Sequence, residues 1–499
     1  MRRVLLYIVS FAFCVSAQAW DWWPLPMAQP DTCRDSLFYQ FSISATAGSG
    51  KYNTFWMQSE EQGSVSISPY SGALRVAIIK PATRPNRWFD YDGAVDILGM
   101  VHSKLPIPEA LMPTGRFPVY QGRQGAYILR QCYVHTRLYI IDITAGVMSM
   151  ADDMNTPLGS GSLLLSHNAP ALPGIRIGFD RWTPIPGLFG YAELKGGMAH
   201  AWLTDGIGTK RSKLHYKWAG VQFGGSLPVN ISYELHHAAQ WGGYDSEGHD
   251  LGNDWNAFRR VFMAQSGGSS YSESFNALGN HLGSQQLAVT ANGKGWNVKI
   301  YWQNILEDNF NFIGMGHNLP DGRWGVCAQQ QVWPFIHTLT MEYICTTDQS
   351  GPLHDQDGII YAGRDEYYVN YTYPQGWNYY LRSLGTPLIT SPLYNTTEYT
   401  QTLNNRIQAW HIGVAGDIYG FQYRLLGTYV RNYGTYHYDD WYTLKSDNTA
   451  LLLDVSKRVE KAWGLDFGVR IGADFGTQWG NKVSAMITIS KQGQITTYQ

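Results

Sequence analysis

The chain has 499 residues, a formal net charge of −2, and 14% aromatic content, with 33 Tyr, 19 Trp and 53 Gly. A balanced charge without a basic run excludes the electrostatic footprint of a nucleic-acid binder. The composition fits two classes equally: a membrane barrel, whose aromatics gather at the interfaces, and a large secreted carbohydrate-active enzyme.

In chain order, residues 1–19 read as a signal peptide. Arg2 and Arg3 precede an apolar run from Val4 to Val15, and Ala17-Gln18-Ala19 supplies the small residues of a cleavage site, so the mature chain is expected to begin at Trp20. The run is too short to span a bilayer as a helix. Bulky Phe13 before Cys14 argues against a lipoprotein. A short periplasmic segment is expected over 20–35, a single barrel domain over 36–491 and a periplasmic tail over 492–499. Later apolar stretches are interrupted, as Asp142 interrupts 138–150, which excludes membrane-spanning helices.

Strands of period two are predicted at 36–46, 72–80, 88–100, 126–136, 138–147, 172–180, 190–203 and 215–224. A further twelve follow at 228–238, 284–292, 296–306, 323–333, 338–347, 366–374, 377–383, 406–415, 421–431, 448–455, 462–473 and 482–490. The alternation is clearest near the end. Leu465, Phe467, Val469 and Ile471 take one face, and Asp466, Gly468, Arg470 and Gly472 the other. Val483, Ala485, Ile487 and Ile489 repeat the pattern, as do Trp296, Val298, Ile300 and Trp302. Short turns at 292–295 and 416–420 alternate with long segments at 239–283, 307–322, 348–365, 384–405 and 432–447. This asymmetry belongs to outer-membrane barrels, which join strands by short periplasmic turns and long extracellular loops. The fold class is therefore all-β, one large antiparallel transmembrane barrel.

Motifs for chemistry are weak. Gly48-Ser49-Gly50-Lys51 lacks the flanking residues of a phosphate loop, and Gly159-Ser160-Gly161-Ser162 precedes no helical pattern. His236 and His237 are adjacent on a strand, so they point to opposite faces. The acidic pairs Asp152-Asp153, Glu307-Asp308, Asp365-Glu366 and Asp439-Asp440 read as turn and loop chemistry. No catalytic residue, metal site or cofactor is expected. Cys33, Cys132, Cys327 and Cys345 survive processing, and alternation places Cys327 and Cys345 on opposite faces unless a bulge intervenes. Their pairing stays open.

Residues from about 158 to 430 resemble the capsule assembly Wzi family of outer-membrane proteins. The resemblance rests on Leu158-Gly159-Ser160-Gly161-Ser162-Leu163, Asn168-Ala169-Pro170, Gln240-Trp241-Gly242-Gly243 and Gly279-Asn280-His281-Leu282-Gly283. It continues through Tyr301-Trp302-Gln303, Glu307-Asp308, Asp348-Gln349-Ser350-Gly351-Pro352, Tyr367-Tyr368-Val369-Asn370-Tyr371 and Gly385-Thr386-Pro387-Leu388. It implies a barrel of about eighteen strands that anchors capsular polysaccharide at the cell surface as a lectin, not an enzyme. Founding members carry a periplasmic helical bundle, for which this chain has no room, and the chain lacks a terminal Phe.

The expected glycan contacts are Trp241, Tyr244, Trp255, Arg259 and Arg260, all in the longest outer loop. Aromatic faces stack on sugars and arginine forks pair with uronate carboxylates. The bland alternative makes Trp241 an interface aromatic and gives Arg259 and Arg260 to lipopolysaccharide phosphate. A second alternative is a transport pore lined by Asp466, Arg470, Lys299 and Gln303. An outer-membrane hydrolase is a third. Expected partners are surface polysaccharide, outer-membrane lipid with lipopolysaccharide, and the barrel-insertion machinery.

Overall fold

The computed structural model describes residues 37–82, 88–108, 111–113, 119–121, 124–266, 277–307, 318–350, 354–356, 359–362, 365–395, 398–436 and 445–495. The expected signal peptide, the segment 20–35, Cys33, Asp308, Asp439 and Asp440 lie outside them.

Eighteen antiparallel strands form a closed barrel. They are β1 Leu37–Gly48, β2 Ser71–Lys80, β3 Phe89–His102, β4 Gly125–Leu138, β5 Ile141–Met148 and β6 Leu172–Pro184. Next come β7 Ala192–Trp202, β8 Lys213–Phe223, β9 Val229–Trp241, β10 Asn280–Gly293, β11 Trp296–Glu307 and β12 Gly322–Gln330. The last six are β13 Thr338–Cys345, β14 Ile407–Ile418, β15 Phe421–Asn432, β16 Ser446–Val459, β17 Leu465–Gly476 and β18 Lys482–Ile495. Each strand pairs with its neighbours in sequence, and β1 closes the ring on β18 from Leu37↔Ile495 to Gly48↔Ser484. Closure removes the exposed edges an open sheet would leave. The closing strand runs to Ile495, past the expected boundary at 491.

The period-two reading of the wall holds residue by residue. Phe467, Val469, Ile471, Val483, Ile487 and Ile489 face outward and are exposed, while Asp466, Ser484, Met486 and Ser490 face inward and are buried. The same exposed apolar exterior continues around the ring, through Ile43, Val76, Ile97, Ile177, Ile231, Ile300, Met341, Ile412 and Leu453. Such a surface is stable only against hydrocarbon, so the barrel is an integral membrane wall of the outer-membrane type. No helix of the described residues is long and apolar enough to cross a membrane.

The connections are asymmetric. At one end short turns join the strands, and many carry an exposed aromatic: Trp88, Tyr139, Phe189, Trp333, Tyr419 and Trp463. Tyr419 and Gly420, at φ +54° and +77°, make the two-residue turn between β14 and β15. That left-handed pair matches the twist of the hairpin. The other end carries the long loops.

Two predicted strands are not part of the wall. Residues 366–374 and 377–383 were expected to span the membrane, but both belong to the connection between β13 and β14, whose described residues 365–395 fold largely into the barrel. Tyr367, Tyr373, Trp377 and Tyr379 are fully buried there. Their aromatic pattern satisfies a lumen interior as well as a lipid face, so periodicity alone miscounts them.

Cys132, Cys327 and Cys345 are free. The register pairs Cys327 with Thr340 and Cys345 with Gly322. No bulge brings the two sulfurs to one face.

Candidate functional site

Inward-facing strand residues are mostly polar, and a buried polar group needs a partner. At the loop end of the barrel those partners are loops. Glu342 on β13 accepts from the Ser160 backbone N–H (2.7 Å), the Ser160 hydroxyl (2.5 Å), the Thr156 hydroxyl (3.1 Å) and the Tyr301 hydroxyl. Arg323 on β12 donates to the carbonyls of Gly161 (2.7 Å) and Met154 (2.6 Å) and sits 3.4 Å from Glu342. Gln303 on β11 donates to the Ser162 hydroxyl (2.8 Å), and His411 on β14 donates to the Leu158 carbonyl (2.7 Å). The segment 149–171 is thus held inside the wall by side chains of four strands.

Two further segments complete the filling. Residues 49–70 cross the seam between the first and last strands. The backbone N–H of Phe55 donates to Asp474 (2.8 Å) and that of Thr54 to the Ser484 hydroxyl (3.2 Å). Trp56 Nε1 donates to the Thr428 hydroxyl (2.9 Å), and Glu61 pairs with Arg470 (2.7 Å), which also binds Asp454 (2.8 Å). From 346–406, Tyr368 donates to the Leu163 carbonyl (2.5 Å), Thr386 to the Ser160 carbonyl (2.7 Å) and Trp377 to the Leu164 carbonyl (2.8 Å). Gly385 has no room for a side chain, because a Cβ there would stand 1.9 Å from the Tyr368 oxygen. Around these bonds Phe55, Trp56, Met154, Leu163, Leu164, Tyr368 and Trp377 pack as one apolar core. Most of the motifs that carry the family resemblance therefore lie in this filling or in the strand residues that grip it.

The filling carries perturbed acids. Burial pushes the Glu60 carboxyl up to about 7, against hydrogen bonds from Ser166 and His167. Burial likewise raises Asp152 and Asp321 to about 6, although Asp152 accepts from Ser162 and Leu165 and Asp321 from the backbone of Gln349 and Asp348. Burial lowers His167 to about 4.

Asp153, Glu234 and His236 bring their ligand atoms close enough to hold an ion. The Lys195 ammonium already occupies that position, bonded to Asp153 and 2.7 Å from Glu234. The cluster is an ion network on the inner face of the wall, with Lys195, Glu234 and His236 buried and the Asp153 side chain 39% exposed. His236 and His237 do face opposite sides: His236 turns inward to the Tyr216 hydroxyl (2.6 Å), His237 outward to His281 (2.8 Å). Of the expected pore-lining residues, Gln303 and Arg470 are bonded to the filling, and Asp466 is buried.

The five expected glycan contacts separate. Trp241 is only 4% exposed, at the end of β9 beneath a short helix, α1 Trp255–Phe262, with Phe258 tilted against it and the Lys213 ammonium 4.3 Å from its ring. Its ring is enclosed between the helix and the Lys213 ammonium rather than presented at the surface. Tyr244 pairs by backbone with Lys210 above the wall. Trp255, 75% exposed, and Arg259 and Arg260 ride on α1. Sequence reasoning missed that helix. Its signal was present in the Asp254 cap, which accepts from the Ala257 N–H (2.7 Å), followed by apolar Phe258, Val261 and Phe262.

The filling also presents a residue the sequence concealed. Tyr371 is 93% exposed, although its neighbour Tyr373 is fully buried and donates to the Gly242 carbonyl (3.3 Å). Asn370 fixes the turn by accepting from the N–H groups of Thr372 (3.0 Å) and Tyr373 (2.9 Å). Tyr399, distant in sequence, is 43% exposed, and its neighbour Thr400 donates to the Pro374 carbonyl (2.8 Å). A rigid support under a free aromatic face suits stacking on a sugar ring.

No family model matches the chain, and no curated protein matches it. Among solved structures, the chain is similar to Pseudomonas aeruginosa OccD3, at 10% identity over 92% of this chain and 91% of that one, TM-score 0.44. It is similar at 10% identity to a BenF-like porin from Pseudomonas fluorescens Pf-5, over 92% and 99% of the two chains, TM-score 0.45. In fold it is similar to Wzi of Escherichia coli, described as an outer-membrane protein of group 1 capsule assembly and a carbohydrate-binding β-barrel, with 12% identity over 98% of this chain and 88% of that chain, TM-score 0.53.

Proposed function

We propose that this barrel holds a polysaccharide at the cell surface, as a binding protein without turnover, after signal-peptide export and insertion into the outer membrane. The observation that carries the reading is the loop end. Three loops fill the wall there and present Tyr371 on a fixed support, with Tyr399 and Tyr244 as the accompanying contacts. A conduit for solutes does not need its wall side chains spent on holding loops; a platform does. The fold likeness to a carbohydrate-binding barrel agrees with this, as does the resemblance of the filling motifs.

The test is polysaccharide retention in a deletion strain complemented with wild-type protein or with Tyr371→Ala. Polymer shed into the medium at normal total yield, restored by wild type and not by the variant, supports the platform. Retention unchanged in the deletion strain removes the function, and retention restored fully by Tyr371→Ala removes the contact.

A further inference from the structure

The helix α1 lies against the outside of the wall. Phe258 packs on His200, His215 and Trp241, and Phe262 on His215. His200, His215 and Trp241 hold outward positions on β7, β8 and β9, on the same faces as Met198, Phe223 and Ile231 further along the same strands. What touches those positions near the loop end stands at the level of the outer leaflet.

The wall beneath α1 is unlike the rest of the exterior. Instead of aliphatic side chains it carries His215, Lys217, His237 and His281, which are costly against hydrocarbon. The helix covers His215 and Lys217, while His237 stacks on His281, which bonds the Leu278 carbonyl (2.9 Å). The Lys217 ammonium binds the Phe262 carbonyl, completing the last turn and meeting the negative end of the helix dipole. The opposite face of α1 shows Trp255 and Arg259, with Arg260 half-exposed, and contains no acid. Arg259 reaches the Asn256 side chain (3.4 Å) and Arg260 the Ser266 carbonyl (3.5 Å), while Asp254 caps the helix and Asp250 accepts from Gly252 and Asn253. An amphipathic helix with an aromatic and two arginines, fixed at a bilayer boundary, matches an anionic headgroup.

We propose that α1 is an interfacial anchor whose Arg259 and Arg260 bind the phosphates of an outer-leaflet lipid, with Trp255 seated among the headgroups. This site is independent of the sugar platform and takes three of the five expected glycan contacts for lipid.

The test uses the full barrel in nanodiscs of phosphatidylcholine containing lipid A or its dephosphorylated form, with retained lipid counted by native mass spectrometry. Wild type should retain the phosphorylated lipid preferentially. Arg259→Gln combined with Arg260→Gln should lower that retention about tenfold while leaving phosphatidylcholine unchanged. Brominated lipid should quench wild type more than Trp255→Phe, a readout that survives even if the arginine variant folds poorly. Equal retention of both lipid forms, or equal quenching, overturns the proposal. Displacement by millimolar inorganic phosphate would make this a free-anion site and overturn the commitment to lipid. Loss of polysaccharide retention by the double variant with lipid A retention intact would return the helix to the glycan.

Discussion

Glu342→Ala should release the filling without opening the wall. The carboxylate accepts four hydrogen bonds, from Ser160 twice, Thr156 and Tyr301, and faces the buried Arg323. Each buried donor left unpaired costs about 1–3 kcal/mol, and breaking a buried ion pair from one side about 3–5 kcal/mol. These terms overlap, so a loss of about 5 kcal/mol in docking of the segment 149–171 is expected. Strand pairing of β13 with β12 and β14 is made by backbone and is retained. The assay pairs limited proteolysis of 149–171 with conductance across planar bilayers. Wild type should resist cleavage and give no steps; Glu342→Ala should be cut within 149–171 and open intermittently, with heat-modifiable migration still showing a folded barrel. Glu342→Gln should fall between them, since it keeps two hydrogen-bonding atoms and loses the charge facing Arg323. A wild-type barrel that conducts steadily, or a Glu342→Ala barrel as closed and resistant as wild type, refutes the reasoning.

Gly385→Ala forces a Cβ against the Tyr368 oxygen at 1.9 Å and should lower filling stability by about 1–3 kcal/mol, read as faster proteolysis of 149–171. Asp254→Ala removes the cap of α1 at about 1 kcal/mol and should raise amide exchange over 255–262 while leaving the strands protected. Tyr371→Ala should leave the melting temperature within experimental error, because its side chain packs on nothing, and any loss above about 0.5 kcal/mol contradicts the exposed placement. Protection of the filling should rise as pH falls from 8 to about 6.5: raised carboxyls, Glu60 at about 7 with Asp152 and Asp321 at about 6, stabilise it when protonated and lose that contribution as pH rises through those values. Below about pH 6.5 the lowered His167 works in the opposite sense, because unfolded histidine takes the proton first. Hydrogen exchange over 59–62 and 149–171 reads the balance, and protection greater at pH 8 than at pH 6.5 contradicts it.

The wall was legible because lipid outside and polar groups inside impose alternation on every strand, as at Phe467 and Asp466. The miscount at 366–374 and 377–383 has the same origin. Tyr367, Tyr373 and Trp377 alternate like wall residues, but the surface that buries them is the lumen, and no local pattern distinguishes a lipid neighbour from a folded loop. Motifs such as Leu158-Gly159-Ser160-Gly161-Ser162-Leu163 were visible as signatures without a job, because their partners Glu342, Arg323 and Gln303 lie far along the chain. Trp241 shows the converse. Its residue type announced a contact surface, and a helix eight residues long turned it into a buried support.

The loop that crosses the seam fastens the two ends of the sheet to each other from inside. Thr54 and Phe55 find their acceptors on Ser484 and Asp474, which belong to the last two strands made. Until β17 and β18 are in place, the 49–70 segment lacks those anchors and its aromatic residues have no finished chamber to enter. Once docked, the segment ties the loop after β1 to β17 and β18 across the junction at which the ring closes. A nascent barrel stalled before that junction would be open along its length, whereas the completed one is fastened from within.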